Sequence, residues 1–451
     1  MVISKYGIII YIPNDINKLF DKNAKITRHK AQKLDLYINS QEPHILSSSK
    51  ELGKTIGLNR IKQFNALNLL LFNLKDCRNN RLITPRARAS LGVKRYNYHK
   101  VGYKALLTVL NALANKRYIE QVIGKKNLET GESISTTIIS THKLINFFKN
   151  NNWYGYYWQQ ETPELILLRN DKKKLIDYED NKYSNWLRSE LTKYNDFLAE
   201  EVLIELCKKN KKTGGTLKLI DSFVNLTLQR KYIEHDSNEY GGVILNFGGR
   251  MYGPWCNLSS SQRKLITIDG EETVELDLQA SAVNVLYKTV TGERYSEGDP
   301  YNIEIDSYTI PRHIIKKAAT IMLSTSTIQS AVAALEKHYL PYINDFDKDT
   351  RSKNTNKEAQ EYKAFKFKLK PSELLNLYLN KHKVVRYYYL RGKRMGDLVA
   401  CMESDRVFEI VRRLTKLKIP VLTVYDSFIV KQSDSATLET LMEELPRLRG
   451  W

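Results

Sequence analysis

The segment VLTVYDSFIV at residues 421–430 constrains the fold most, because it has the composition of a β-hairpin with a carboxylate at its tip. Runs of β-branched and aromatic residues flank Tyr425 and Asp426, and two such runs around a short turn are typical of paired strands. Asp is common in turns, but neither Gly nor Asn, the usual turn partners, stands beside it here. The segment therefore predicts a rigid hairpin that holds Asp426 at its tip.

A second aspartate interrupts an apolar strand in TVELDLQASAVNVLY, residues 273–287. Apolar and acidic residues alternate up to Asp277, as in a half-buried strand, and a helix-like run follows from Ala280. A strand that ends at an acid before a helix places that acid at the edge of a sheet. We expect the hairpin of Asp426 to lie beside this strand, so that the two carboxylates meet.

Two carboxylates on adjacent strands have a defined chemical use. Together they can hold two divalent cations about 3.5 to 4 Å apart for in-line phosphoryl transfer. Oxygen ligands suit Mg²⁺ or Mn²⁺ and not zinc, and the four widely spaced cysteines form no CxxC pair. The sequence predicts two Mg²⁺ (or Mn²⁺) ions held by Asp277 and Asp426, with the backbone carbonyl of Leu278 as a candidate third ligand.

Basic residues lie between the two aspartates in the chain. A helix that begins after Pro311 would place Arg312 and Lys316 on one face, from which both can reach one triphosphate. An ordinary solvated helix surface is the alternative, but the residues that follow are nearly uncharged. Either aspartate alone would indicate a turn or a cap. The pair together with these cations favours phosphoryl transfer, with Lys316 as a candidate proton donor to the departing pyrophosphate.

The charge of the chain indicates a polyanionic partner. Its 451 residues contain 71 Lys and Arg against 50 Asp and Glu, a net charge of +21 that suits nucleic acid. A host with lysine-rich proteins is the alternative explanation. No apolar run approaches the roughly 18 residues of a membrane span, so we expect no membrane association and a cytoplasmic location.

Residues 56–150 have the element order of a winged helix. Apolar residues recur at helical spacing in NRIKQFNALNLLLFNLKDC and YHKVGYKALLTVLNALANKRYIEQVIG, and an alternating segment follows that resembles a hairpin around residues 129–132. In such a domain a basic helix can lie against DNA while Lys125 and Lys126 contact phosphates. A protein–protein module is the alternative.

Four segments resemble, in order, the motifs of the family A DNA polymerases and the phage-type single-subunit RNA polymerases. NFGGRMYG resembles the upstream element that ends in Gly-Arg, ELDLQAS the strand of the first metal-binding Asp, PRHIIKK the R-x-x-x-K fingers helix, and YDSF the His-Asp-Ser or His-Asp-Glu hairpin. GDPYNI, residues 298–303, also resembles the segment after the first Asp. The resemblance implies template-dependent nucleotidyl transfer, with Asp277 and Asp426 as the metal ligands.

The same resemblance implies roles for further residues. Arg312 and Lys316 would bind the incoming triphosphate, and Arg250 would hold the template or primer backbone near Tyr252 and Tyr425. The region from 338 to 395 is similar to a family-specific insertion. Its segment KVVRYYYLRGKR can stack on and neutralise single strands, or it can form a buried aromatic cluster.

The sequence departs from the family pattern at four positions. Tyr425 replaces the usual His of the hairpin, and Ser324 and Thr325 replace a Tyr–Gly pair, so the aromatic platform beneath the templating base is missing or comes from elsewhere. Ala282 stands where family A DNA polymerases have the Glu that excludes the ribose 2′-OH. The phage-type RNA polymerases have a small residue there, so Ala282 and the YDSF hairpin favour ribonucleotides, although Ser324 lacks the sugar-sensing Tyr.

We therefore expect an α+β protein in four regions: a basic segment at 1–55, a winged-helix-like domain at 56–150, a helical, thumb-like region at 151–240, and a palm of antiparallel strands with helical fingers at 241–451. The predicted function is that of an RNA polymerase or primase from a phage, plasmid or other mobile element, which uses a DNA template and nucleoside triphosphates. The alternatives are a DNA polymerase on the same palm, a non-enzymatic DNA-binding replication initiator, and a degenerate palm that adds nucleotides without a template.

Overall fold

A computed structural model describes residues 32–34, 36, 38–40, 42–77, 80–84, 91–124, 136–155, 159–160, 163–209, 216–219, 227–235, 245–339 and 353–444. The chain forms two compact units: the first contains residues up to Glu164 together with Lys174–Asp177, and the second contains Leu165–Lys173 and the chain from Tyr178 onward. Helices combine with mainly antiparallel sheets, which confirms the α+β class. Within the described ranges, no helix is long and apolar enough to cross a membrane.

The first unit packs helices against a small sheet. Its sheet has the strand order β1-β3-β5-β4. In chain order, the helices and strands of this unit are β1 (Gln32–Lys33), β2 (Ile38–Asn39), α1 (Pro43–Thr55), α2 (Ile61–Asp76), β3 (Arg81–Thr84), α3 (Tyr103–Asn115), β4 (Ile119–Val122), β5 (Thr136–Ser140), α4 (His142–Asn150) and β6 (Gln159–Gln160).

Of the three helices and the hairpin predicted in that order for residues 56–150, two helices and the hairpin are present among the described residues. They correspond to α2, α3 and the antiparallel pair β4–β5. The tip of the hairpin, with Lys125 and Lys126, lies outside the described residues. Two features differ from the prediction: β3 lies between the helices and pairs with β5, and α1, in the segment predicted as a basic N-terminal region, contributes Ile45 and Leu52 to the same apolar core.

The second unit contains the larger sheet and most of the helices. In chain order, its elements are β7 (Ile166–Arg169), α5 (Lys182–Glu201), β8 (Ile204–Lys209), β9 (Thr216–Leu219), β10 (Gln229–Ile233), β11 (Gly248–Tyr252), α6 (Ser260–Arg263), β12 (Ile266–Ile268), β13 (Glu271–Asp277), α7 (Ser281–Thr291), β14 (Glu304–Ile305), β15 (Tyr308–Thr309), α8 (Arg312–Met322), α9 (Ile328–Tyr339), α10 (Lys353–Lys368), α11 (Pro371–Lys381), α12 (Lys393–Lys416), β16 (Val421–Val424), β17 (Ser427–Lys431) and α13 (Ser435–Glu444).

A six-stranded antiparallel sheet forms the centre of the second unit. Its order is β16-β17-β13-β12-β8-β9. Strand β16 and most of β17 are buried, which explains the nearly continuous apolar run on both sides of Tyr425 and Asp426. Both predictions for these segments are confirmed: residues 421–430 form a hairpin, and β13 ends at Asp277 before α7 begins at Ser281.

Helices surround this sheet in two groups. The helices α7 to α11 share an apolar core, to which Leu286, Ile314, Leu335 and Tyr378 contribute fully buried side chains. The long helix α12 packs against β11, α7 and α5. Helix α8 begins at Arg312, directly after Pro311, as predicted.

The region predicted to be a helical thumb at 151–240 differs from that prediction. Among the described residues of this region, α5 is the only long helix, whereas β8 and β9 extend the six-stranded sheet and β10 pairs with β11. Helix α5 also packs closely on this unit, since the Tyr194 hydroxyl donates to the Val421 carbonyl at 2.6 Å. The predicted boundary at residue 240 therefore runs through a sheet.

Candidate active site

The register of two strands brings the predicted metal-binding aspartates together. Asp277, the last residue of β13, lies opposite Ser427, the first residue of β17. Asp426 immediately precedes Ser427, and its carbonyl accepts a hydrogen bond from the Leu278 amide at 3.1 Å. The two aspartates, far apart in the sequence, therefore lie at the same end of adjacent strands.

The turn between β16 and β17 is strained. Tyr425 has φ = 61°, a left-handed conformation that usually requires Gly or Asn. Such backbone conformations persist where the surrounding structure enforces them, often at functional sites. Here the Ser427 hydroxyl donates to Glu275 at 2.9 Å, and Glu275 is held in turn by two hydrogen bonds from Arg263, at 2.8 and 3.0 Å. Glu275 and Arg263 are thus positioning residues, which hold Ser427 where the turn enters β17.

The carboxyl of Asp277 lies in an electrostatic field that favours its protonated form. Loss of hydration raises the pKa of Asp277, and the like charge of Asp426 raises it further. The positive charge of Lys316 on α8 acts in the opposite direction. The structure thus brings Asp277 and Asp426 together, and the charge of Lys316, the third residue with a predicted catalytic role, acts on the Asp277 carboxyl.

Arg312 lies one helical turn before Lys316 on α8 and is exposed. Its Nε donates to Asp299 Oδ2 at 2.6 Å, and its guanidinium lies 5.1 Å from the ring centre of Tyr301. The pKa of Asp299 is lowered, because the hydrogen bond from Arg312 and one from the Tyr301 amide outweigh its partial burial. The segment GDPYNI, residues 298–303, therefore sets the position of Arg312.

Two residues at the end of α11 hold that segment in place. The Lys381 ammonium donates to the carbonyls of Asp299 at 3.1 Å and Asn302 at 2.6 Å. His382 is fully buried, and its Nε2 lies 2.9 Å from the Pro300 carbonyl. Neither residue was identified from the sequence, since no local pattern links 381–382 to 299–302.

The Gly-Gly-Arg element lies at a bulge between β10 and β11. The pairing shifts where Tyr232 lies opposite Gly248, and Gly249 adopts φ = 68°. A Cβ atom on Gly249 would lie 2.9 Å from Arg230 Nη2, so only glycine fits there. The bulge directs Arg250 to the surface.

Arg250, Tyr252 and Tyr425 lie next to one another, as the prediction requires. The Arg250 guanidinium is 5.8 Å from the Tyr425 ring centre, and the rings of Tyr252 and Tyr425 meet edge to face with centres 5.9 Å apart. Lys231 Nζ lies 3.9 Å from the Tyr252 ring centre. These four residues form a basic, aromatic surface beside Asp426.

Glu403 on α12 is a further acidic residue of this site. Its side chain is largely buried, with Oε2 3.9 Å from Arg250 Nη2. Burial raises the pKa of Glu403 to about 7, and the charge of Asp426 adds to this effect, whereas the charge of Arg250 opposes it. Glu403 therefore belongs to the site.

The remaining predicted site residues are Ala282, Leu278 and Ser324. Ala282 lies in the first turn of α7 and packs against the core of the helical group. The Leu278 side chain is buried, and its amide is bound to Asp426. Ser324 lies exposed beyond the end of α8, against Gly396 in the first turn of α12; no contact of its side chain with Asp277 or Asp426 is seen among the described residues.

The carboxylates suit a hard divalent cation. Within the described ranges, no cluster of three or more His, Cys, Asp and Glu residues could hold a metal ion. The site offers two side-chain carboxylates, an all-oxygen donor set that fits Mg²⁺ or Mn²⁺ and leaves other positions to water and phosphate. The mutual repulsion of Asp277 and Asp426 is what a bound cation would relieve.

Comparisons with known proteins give no match: no protein-family model, no curated protein and no solved structure matches the chain. The resemblance to the polymerases therefore rests on the ordered motifs in the sequence. The evidence available for function is the geometry of the site itself.

Proposed function

We propose that this protein is a template-dependent nucleotidyltransferase, an RNA polymerase or primase that uses a DNA template, nucleoside triphosphates and two Mg²⁺ or Mn²⁺ ions. The observation that carries the proposal is the register of β13 and β17, which sets Asp277 beside Asp426, with Lys316 close by. Two like charges held together at the same end of two adjacent strands cost stability unless a cation binds between them. Phosphoryl transfer is the chemistry that uses such a pair.

Asp277 and Asp426 would hold the metal ions through their carboxylate oxygens. When bound, the ions activate the attacking hydroxyl and neutralise charge on the triphosphate. Lys316 would add a positive charge next to the pair and give a proton from its Nζ to the departing pyrophosphate. Arg312, one helical turn away, would bind the phosphates in exchange for its contact with Asp299.

The surface of Arg250, Tyr252 and Tyr425 would contact the template or primer. Its exposed guanidinium suits a phosphate, and its two rings suit a base or sugar. Glu403 would hold Arg250 in position, since their side chains are 3.9 Å apart and Glu403 is largely buried.

The architecture that we propose assigns the six-stranded sheet to a palm and the helices α7 to α11 to fingers. The first unit would be a winged-helix-like DNA-binding domain built from α2, α3 and the β4–β5 hairpin. The region 151–240 would contribute β8 and β9 to that palm.

The test is primer extension and de novo synthesis on a single-stranded DNA template with Mg²⁺. NTPs and dNTPs are supplied in separate reactions, with Asp277→Ala as the control. Products from NTPs that disappear in the control would support the proposal, and products from dNTPs alone would keep the palm but change the sugar assignment. If neither substrate gives a product while the protein binds a specific duplex site without Mg²⁺, the protein is a replication initiator instead.

A further inference from the structure

A basic surface with one exposed aromatic ring lies between α11 and α12. Tyr387 is 65% exposed, although large aromatic side chains are seldom this open on a folded protein. We call this surface the Tyr387 patch. Besides Tyr387, it consists of the exposed cations Lys383, Arg386, Arg391, Lys393 and Arg394.

Tyr387 is held in a defined position by one of these cations. The Arg391 guanidinium lies 4.4 Å from the ring centre of Tyr387, and Arg391 Nε donates to the Tyr387 carbonyl at 3.2 Å. A cation at this distance is attracted by the ring. The ring and the guanidinium are thus organised before any partner binds, which reduces the entropy lost on binding.

Buried residues on both sides anchor the turn that carries Tyr387. The turn is a 3₁₀ helix, Lys383–Tyr388, in which Val385 is fully buried. Tyr389, directly after the turn, is also buried, and its hydroxyl lies 2.9 Å from that of Tyr378. KVVRYYYLRGKR is thus divided in the structure: Tyr389 lies in an aromatic core, as one of the two predicted roles requires, whereas Tyr387 faces the solvent.

The patch is attached to the helix that carries the proposed triphosphate-binding residues. The Leu390 amide donates to the Met322 carbonyl at 2.8 Å, and the Gly392 amide donates to the Thr325 carbonyl at 2.9 Å. Met322 is the last residue of α8, six residues beyond Lys316, which corresponds to about 9 Å along the helix axis. That distance is comparable with the spacing of one or two nucleotides in a single strand.

The chemistry of the patch fits a polynucleotide better than a protein. From Lys381 to Gly396 the sequence contains no acidic residue, and the next carboxylate along the chain, Asp397, lies 3.7 Å from Lys393. Five exposed cations in this segment provide charge for phosphates, and the exposed ring of Tyr387 provides a stacking surface for a base. A protein partner would more typically find a larger apolar area.

We infer that the Tyr387 patch binds a single-stranded polynucleotide, with one base stacked on Tyr387 and the neighbouring phosphates bound by Arg386, Arg391 and Lys383. The inference rests on the proposed function in one respect: the strand would be the template that approaches the active site along α8. It adds a nucleic-acid-binding residue that lies outside the site of Asp277 and Asp426.

Fluorescence anisotropy with two labelled oligonucleotides tests the inference. One is a single-stranded DNA and the other has the same length and charge but consists of abasic nucleotides. For the first, Tyr387→Ala should raise the Kd about 10-fold and Tyr387→Phe should leave it nearly unchanged, because stacking needs the ring and not the hydroxyl. For the abasic strand, wild type and Tyr387→Ala should bind equally. Arg386→Ala should weaken binding of both strands and reduce the salt dependence.

The matched control is Phe367→Ala, which removes an aromatic ring on α10 that is 84% exposed among lysines. It should change neither Kd. Tyr387 is exposed, so its replacement should not lower the melting temperature, which circular dichroism verifies for each variant. An unchanged Kd for Tyr387→Ala on base-bearing DNA would overturn the inference and leave a protein partner as the use of this surface.

The binding assay is performed in EDTA without nucleotide, so its result is independent of synthesis. If the wild type makes no product but binds DNA with a base-dependent contribution from Tyr387, the proposed function fails and the patch stands. If synthesis is normal but Tyr387→Ala binds as the wild type does, the patch fails and the function stands.

Discussion

The second unit uses aspartate in two opposite ways. Asp405 on α12 is buried and accepts a hydrogen bond from Arg230 at 2.8 Å. The Arg230 guanidinium lies near the rings of Tyr232 and Phe408, and it also donates to the Gly249 carbonyl. Asp277, in contrast, is accessible to solvent and lies beside another carboxylate.

This difference distinguishes a carboxylate with a structural role from carboxylates placed for chemistry. The carboxylate of Asp405 is neutralised within the folded chain, so its burial is tolerated. The carboxylates of Asp277 and Asp426 repel each other in the folded chain, so their placement requires an external cation or serves no purpose. A site that lowers stability in the absence of its ligand is typical of function.

The largest effect is expected for Asp426→Asn. Loss of this metal ligand should reduce nucleotide incorporation about 10⁴-fold, or roughly 5 kcal/mol in transition-state stabilisation. The melting temperature should be unchanged or higher, because the repulsion on Asp277 is removed. Primer extension and thermal denaturation measure the two effects. Glu439→Gln on the exposed side of α13 is the control and should retain synthesis, whereas normal synthesis by Asp426→Asn would contradict the metal assignment.

Arg230→Met should lower the stability of the fold, in contrast to Asp426→Asn. It leaves Asp405 as a buried charge without its main partner, which should lower the free energy of unfolding by about 3 to 5 kcal/mol in urea denaturation. The double variant Arg230→Met, Asp405→Leu should recover much of this loss, because no uncompensated charge remains. Equal stability of the wild type and Arg230→Met would show that the ion pair is not structural.

Glu403 sharpens the comparison, since it lies two residues before Asp405 on the same helix but faces the site. Its pKa is raised to about 7 from an ordinary value of 4.5, so the folded protein binds an extra proton between these pH values. Stability should therefore fall as pH rises through this window, by about 3 kcal/mol. Glu403→Gln should lack this part of the pH dependence. Parallel stability curves for the two proteins from pH 5 to 8 would refute this.

Local patterns in the sequence were sufficient for some elements of this unit. The hairpin at 421–430, the end of β13 at Asp277 and the start of α8 after Pro311 depend on neighbouring residues, and all three were predicted. The approach of Asp426 to Asp277 was also expected, because both acids interrupt apolar strands.

Contacts between distant residues account for what was missed. Strand β8 lies in the region that was predicted to be helical, since a short apolar run fits either structure until its pairing partner β12 is known. Arg230 and Asp405 are 175 residues apart, and nothing near either residue indicates the other. The same holds for Lys381 and His382, which hold the segment next to Arg312.

The smallest expected effect concerns the sugar. Ala282 lies five residues after Asp277, in the first turn of α7. Ala282→Glu adds a carboxylate in the first turn of α7, at the position that the motif resemblance aligns with the Glu that excludes the ribose 2′-OH in family A DNA polymerases. The ratio of NTP to dNTP incorporation should fall about 10-fold, or roughly 1.4 kcal/mol. Ala282 packs against the core of the helical group, so the larger side chain should also lower stability, which thermal denaturation measures. Ala282→Gln, of equal size but uncharged, separates steric exclusion from charge. If the ratio of NTP to dNTP incorporation falls equally in both variants, size excludes the 2′-OH; if it falls only in Ala282→Glu, charge does. An unchanged ratio in both variants would remove Ala282 from the sugar site.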